Sequence, residues 1–75
     1  MELQQFVEFF AGELEDTPIE TISPATIFKE LDEWSSLTAL SIISMVDENF
    51  EKRLTGADLR SINTIEELYN LVLSK

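Results

Sequence analysis

The chain has 75 residues, 44% apolar and 27% charged, a composition suited to one small hydrophobic core rather than a disordered segment. Fifteen acids against five bases leave a net charge of −10, which excludes nucleic acid and anionic bilayers as partners. The absence of histidine and cysteine removes the usual general base, the usual metal ligand, disulfides, zinc sites and every Ser-His or Cys-His nucleophile pair.

The first segment reads as a helix from about Glu2 to Leu14, with Leu3, Phe6, Val7, Phe10 and Leu14 on one stripe. Phe9 lies off that stripe and is expected to pack under the following loop. MELQQFVEFF carries acids where a signal peptide carries bases, and no stretch approaches the roughly 20 apolar residues of a membrane span. A cytoplasmic chain without a membrane span is the expectation. No repeat or low-complexity tract divides it, so residues 1–75 read as one domain.

Residues 15–35 form a long connection broken by Pro18 and Pro24, and connections above about 12 residues usually have a task. Ser23-Pro24 has the pattern of an N-cap followed by proline at the first helical position, with Ile27, Phe28 and Leu31 pinning one short turn to the core. The next helix is expected from Ser35 or Ser36 to about Glu51. At 100° per residue, Ala39, Leu40, Ile43, Val46 and Phe50 share a core face with Ile42 at its edge. Leu37 and Met45 then project outward beside Thr38, Ser41, Ser44 and Glu48, either as ordinary exposed apolar residues or as a docking surface.

Ala57–Ile62 allows a short helix presenting Leu59 and Ile62. Thr64 followed by Glu67 is a capping box that opens the last helix, whose buried stripe is Ile65, Leu68, Leu71 and Val72. Nothing alternates with the period of a strand. The fold class is therefore all-α: a small four-helix bundle of three longer helices and a short third one, with a long first loop.

The carboxylate pairs Glu15-Asp16, Asp32-Glu33, Asp47-Glu48 and Glu66-Glu67 fall at positions expected to be exposed, not in a sheltered acid–base cleft. An EF-hand loop counted from Asp47 would put Lys52 where glycine is required, and neither glycine belongs to a phosphate-cradling loop. No metal site and no catalytic constellation is read, and the chain is not expected to be an enzyme. What remains is Ser35-Ser36-Leu37 at a helix start. Ser35 is the natural N-cap, and Ser36 stands beside unpaired N–H groups at the positive end of the helix dipole, where a phosphodiester is electrostatically favoured.

The run DEWSSLTALSIISMVDENF resembles the attachment segment of acyl carrier proteins, in which Asp-Ser-Leu opens the second helix and an aromatic residue follows the serine by fourteen positions; Ser36-Leu37 and Phe50 keep that spacing. The resemblance extends to the amphipathic first helix, the Ile22 and Phe28 anchors, the short third helix and Thr64-Ile65. It implies that a magnesium-dependent phosphopantetheinyl transferase esterifies Ser36 with 4′-phosphopantetheine from coenzyme A. The arm's thiol would then carry acyl intermediates of fatty-acid, polyketide or related synthesis. Leu37, Met45, Asp47 and Glu48 would form the face that meets acyl-transfer and synthase enzymes with basic docking patches. Leu40, Ile43, Val46, Leu54, Leu59 and Ile62 would line an acyl pocket, although all six also read as core. Ser35 replaces the family's usual acid, and Thr38 and Ser41 stand where many members carry acids, which implies a specialised set of partners. A monomer is the expectation for such a charged shuttle. Length, acidity and architecture also resemble small immunity proteins. On that alternative the chain is an acidic helical adaptor or inhibitor that binds a basic protein without a prosthetic group.

Overall fold

The apolar stripe of the first segment becomes α1, Leu3–Gly12, in a computed structural model that describes residues 2–75. The helix ends before Leu14, whose N–H still donates to the Ala11 carbonyl at 3.0 Å, so Leu14 stays buried on a closing turn. α2 spans Ser36–Phe50, α3 Gly56–Arg60 and α4 Ile65–Ser74; α1 packs against both α2 and α4. Among the described residues the extended pairing is limited to one isolated bridge, Ile27 with Thr64, and no polar side chain is buried. The result is the small all-helical bundle that the periodicity implies.

α3 and α4 both open on capping boxes. Thr55 accepts the Asp58 N–H while Asp58 accepts that of Thr55, and Thr64 and Glu67 exchange the same two bonds. The second box follows from its sequence pattern, and the first was not read from it. Aromatic rings join the elements. Phe6 contacts Phe50 and Tyr69 with centroids 5.6 and 5.7 Å away, and Phe28 lies 5.6 Å from Phe10 and 4.8 Å from Trp34. Phe9 meets the Phe50 ring edge-on at 5.2 Å, so it packs at the end of α2 and not under the loop.

The long connection holds two single 3₁₀ turns, Ile19–Thr21 and Phe28–Glu30. The second is the turn anchored by buried Phe28. No helix follows Ser23-Pro24. Ser23 instead begins a tight turn, its N–H donating to Thr26 Oγ1 at 2.8 Å, while the Pro24 and Thr26 carbonyls accept the Glu66 and Ile65 N–H groups at 2.9 and 3.2 Å. These carbonyls are turned toward the start of α4 instead of along a helix of their own.

The orientation of α2 differs from the expected one. Ile42, Met45 and Val46 are its buried residues, Ala39 and Ile43 are half-buried, and Leu40 is 60% exposed. Apolar side chains run from Met45 through Ile42, Val46, Ala39 and Ile43 to Leu40, an arc of roughly 220° at 100° per residue. That arc is wider than one packed face can cover. Contact with the rest of the bundle buries the Met45 end, so Met45 belongs to the core and not to an outer docking face, and the Leu40 end is left uncovered.

α2 terminates at Glu51, a non-glycine residue in the left-handed region with φ 56°. Its carboxylate also sits at the negative end of the helix dipole. Asn or Gly suits this position better. Glu51→Asn is expected to stabilise the chain by about 0.5–1.5 kcal/mol, read as a rise of several degrees in a thermal melt; an unchanged or lower Tm would contradict the assigned backbone.

Candidate functional site

The residues around the start of α2 divide two tasks between adjacent serines. Ser35 has extended backbone, and its Oγ accepts the Thr38 N–H at 3.3 Å, capping the helix. Thr38 Oγ1 donates to the Glu33 carbonyl at 2.8 Å, which folds the preceding segment over the first turn. Ser36 is the first helical residue and is exposed; among the described residues its hydroxyl has no hydrogen-bond partner. The first turn carries no acid. An anion attached at Ser36 would therefore meet free backbone N–H groups on a turn that itself carries no carboxylate.

Glu33 fastens this segment to residues 15–17, just after α1. Its Oε2 accepts the Glu15 N–H at 3.0 Å, its Oε1 accepts the Thr17 N–H at 3.0 Å and the Thr17 hydroxyl, and the Asp16 N–H reaches both oxygens at 3.2 and 3.3 Å. The Thr17 hydroxyl, aided by the backbone N–H groups of Glu15, Asp16 and Thr17, holds the carboxyl below its ordinary value of 4.5. A depressed carboxyl stabilises the fold above the unfolded value, and the contribution disappears as pH falls through the folded one. Glu33→Gln is therefore expected to melt below the wild type at pH 7, with the gap narrowing as pH drops below about 4.5. Paired melts across pH 3–7 check this, and a gap that stays constant would remove the latch from the account.

A groove of about 640 Å³ opens beside Ser36, between α2 and α3. α2 lines it with Ser36, Ala39, Leu40 and Ile43, and α3 with Gly56, Leu59 and Arg60. Lys29, Trp34 and Ser35 complete it. Its wall is thus the uncovered end of the apolar arc on α2. Of the six residues expected to line an apolar pocket, Leu40, Ile43 and Leu59 meet here. Val46 and Leu54 are buried core, and Ile62 is half-buried off the groove. Leu37, Asp47 and Glu48 are exposed on α2, Leu37 to 75%.

Sequence reading missed Trp34, Lys29 and Arg60 as groove residues. Trp34 stands two positions before Ser36, and that nearness was an available signal. Lys29 and Arg60 are 31 positions apart and are joined through the Lys29 ammonium, which donates to the Arg60 carbonyl at 3.1 Å. Among the described residues no group of three or more acids could hold a metal ion, and no helix is long and apolar enough to cross a membrane.

A family model described as "phosphopantetheine attachment site" matches residues 4–72, which takes in the paired serines and the whole groove lining. No curated protein and no solved structure matches the chain.

Proposed function

The chain belongs to the phosphopantetheine-attachment family, the domain family of acyl carrier proteins, whose members carry a 4′-phosphopantetheine prosthetic group, and from that premise we propose that Ser36 is its point of attachment. The observation that carries this reading is the exposed, unpartnered Ser36 hydroxyl at the start of α2, on the lip of the groove.

The surrounding residues suit such an ester. Ser36 Oγ forms the new bond to the phosphorus that bears the pantetheine arm as a phosphopantetheinyl transferase breaks the pyrophosphate of coenzyme A, adenosine 3′,5′-bisphosphate leaving and the hydroxyl proton passing to the transferase. The first turn of α2 offers N–H groups to the phosphodiester and no carboxylate to repel it. Ser35 keeps the helix capped throughout, since its own hydroxyl is already bonded to the Thr38 N–H. The attached arm supplies a terminal thiol that holds acyl groups as thioesters, in a chain that has no cysteine. Leu40, Ile43 and Leu59 offer that cargo an apolar wall.

On this reading the protein is a carrier and not a catalyst, a single domain that shuttles acyl intermediates as a cytoplasmic monomer in fatty-acid, polyketide or related synthesis. Leu37, Asp47 and Glu48 on the exposed face of α2 meet transferases and synthases with basic docking patches. Such contacts are individually weak, about 0.2–1 kcal/mol each, yet they speed encounter as a shuttle requires. The adaptor alternative accounts for neither the free hydroxyl nor the groove beside it. The test is intact mass after incubation with coenzyme A, magnesium and a promiscuous transferase. One phosphopantetheine adduct supports the carrier, and an unmodified chain under conditions that label a control carrier overturns it.

A further inference from the structure

We propose that the groove beside Ser36 selects acyl cargo with an apolar body and a carboxylate at its free end, received by Lys29 and Arg60. This rests on the carrier reading and adds the class of cargo to it.

The charge lining the groove runs against the charge of the chain. Acids outnumber bases fifteen to five overall, yet the lining contains no acid and two of the five bases. Lys29 is placed rather than loose, and Arg60 lines the groove from an exposed position. Lys29 is half-buried, its ammonium donating to the Arg60 carbonyl at 3.1 Å and lying 6.0 Å from the centroid of the Phe28 ring. A Cβ added at Gly56 would stand 3.3 Å from Arg60 Nη1, so the guanidinium lies back over the first residue of α3, on the groove. Neither cation is in an ion pair among the described residues, where Lys75 with Asp58 is the pair formed. Glu67, whose carboxyl is held below its ordinary value chiefly by the Thr64 and Asn63 N–H groups with a smaller contribution from the Lys29 charge, is already engaged by those N–H groups at 2.9 and 2.8 Å.

Between Ser36 and these cations the lining is Trp34, Ala39, Leu40, Ile43 and Leu59. A wholly apolar chain laid along it would strip water from two cations and give them nothing in return. A chain ending in a carboxylate covers the same apolar wall and meets the cations with a charge-assisted bond. Tethering to Ser36 makes the encounter intramolecular, so a modest preference is enough to determine where the cargo rests.

Ser36→Cys gives the chain a single thiol, and its exchange with the symmetric disulfides of N-hexanoylcysteamine and of N-adipoylcysteamine, each exchange releasing one cysteamine thiol, tests the groove without any transferase. The readout is the 2-mercaptoethanol concentration that releases half of each mixed disulfide. The adipoyl disulfide is expected to withstand roughly two- to tenfold more reductant at low salt. Added NaCl should shrink that margin, and Lys29→Met with Arg60→Met in the same background should abolish it. Arg60→Gln alone, at an exposed position, should reduce it without disturbing the fold. The net charge of −10 by itself favours the neutral hexanoyl arm, so the sign of the preference is diagnostic. Equal retention, a hexanoyl preference, or an adipoyl preference that survives the double substitution overturns the proposal. If the cations serve only the phosphate of the arm, the two cysteamines are retained equally, which also overturns it. Failure of the transferase assay alone would strike the carrier reading and leave this selectivity measurable.

Discussion

Ser36→Ala is expected to abolish the coenzyme A-dependent mass increase completely, whereas Ser35→Ala keeps the increase and loses thermal stability instead. The hydroxyls differ in what they already do. Ser35 Oγ is bonded to the Thr38 N–H at 3.3 Å and lies 3.3 Å from Thr38 Oγ1, while that of Ser36 is exposed and unbonded among the described residues. Removing an N-cap hydroxyl costs about 0.5–2 kcal/mol. In a domain of this size that lowers Tm by roughly 4–8 °C per kcal/mol. Intact mass and a thermal melt on both variants separate the roles. An adduct that persists in Ser36→Ala would move the attachment to Ser35. Its loss in a folded Ser35→Ala would show that the capped turn is what the transferase recognises.

Phe28→Ala is expected to have the largest effect on stability. Phe28 is fully buried and is the element of the long loop that reaches deepest, touching Phe10 at 5.6 Å and Trp34 at 4.8 Å. Truncating a buried phenylalanine costs about 3–5 kcal/mol. A chain of 75 residues has only about 4–11 kcal/mol in total at 0.05–0.15 kcal/mol per residue. The variant should therefore melt on the order of 15–30 °C lower or fail to fold. Phe9→Ala, at a half-buried ring, should lose distinctly less. A Phe28→Ala melt within a few degrees of wild type would mean that the loop is not held by this ring. Because Phe28 packs against Trp34, a groove residue, the same substitution should also perturb Trp34 fluorescence in whatever fraction stays folded.

Much of this arrangement is legible in the amino-acid order, and what is legible is local. Thr64 and Glu67 declare the start of α4 because both bonds of a capping box lie within one turn. The stripe on α1 names Phe6, Val7 and Phe10 as core because a single face packs against both α2 and α4. Ser36 is placed at a helix start by the cap before it. Ser23-Pro24 misled because the Pro24 and Thr26 carbonyls are taken by the start of α4, a partner roughly 40 positions away that local propensity does not register.

The serine, the helices and the acidity of the chain were thus determined by the sequence itself, since each depends on neighbours within a turn or on composition alone. Tertiary structure decided the rest. Periodicity measures the width of the apolar arc on α2 but not which end of it meets the bundle, so only packing could bury Met45 and leave Leu40 on a groove. Nor does spacing relate Glu33 to residues 15–17, or Lys29 to Arg60. Those groups meet because the long loop is drawn across the bundle by Phe28, and contacts between distant positions are made by the path of the chain and not by its local preferences.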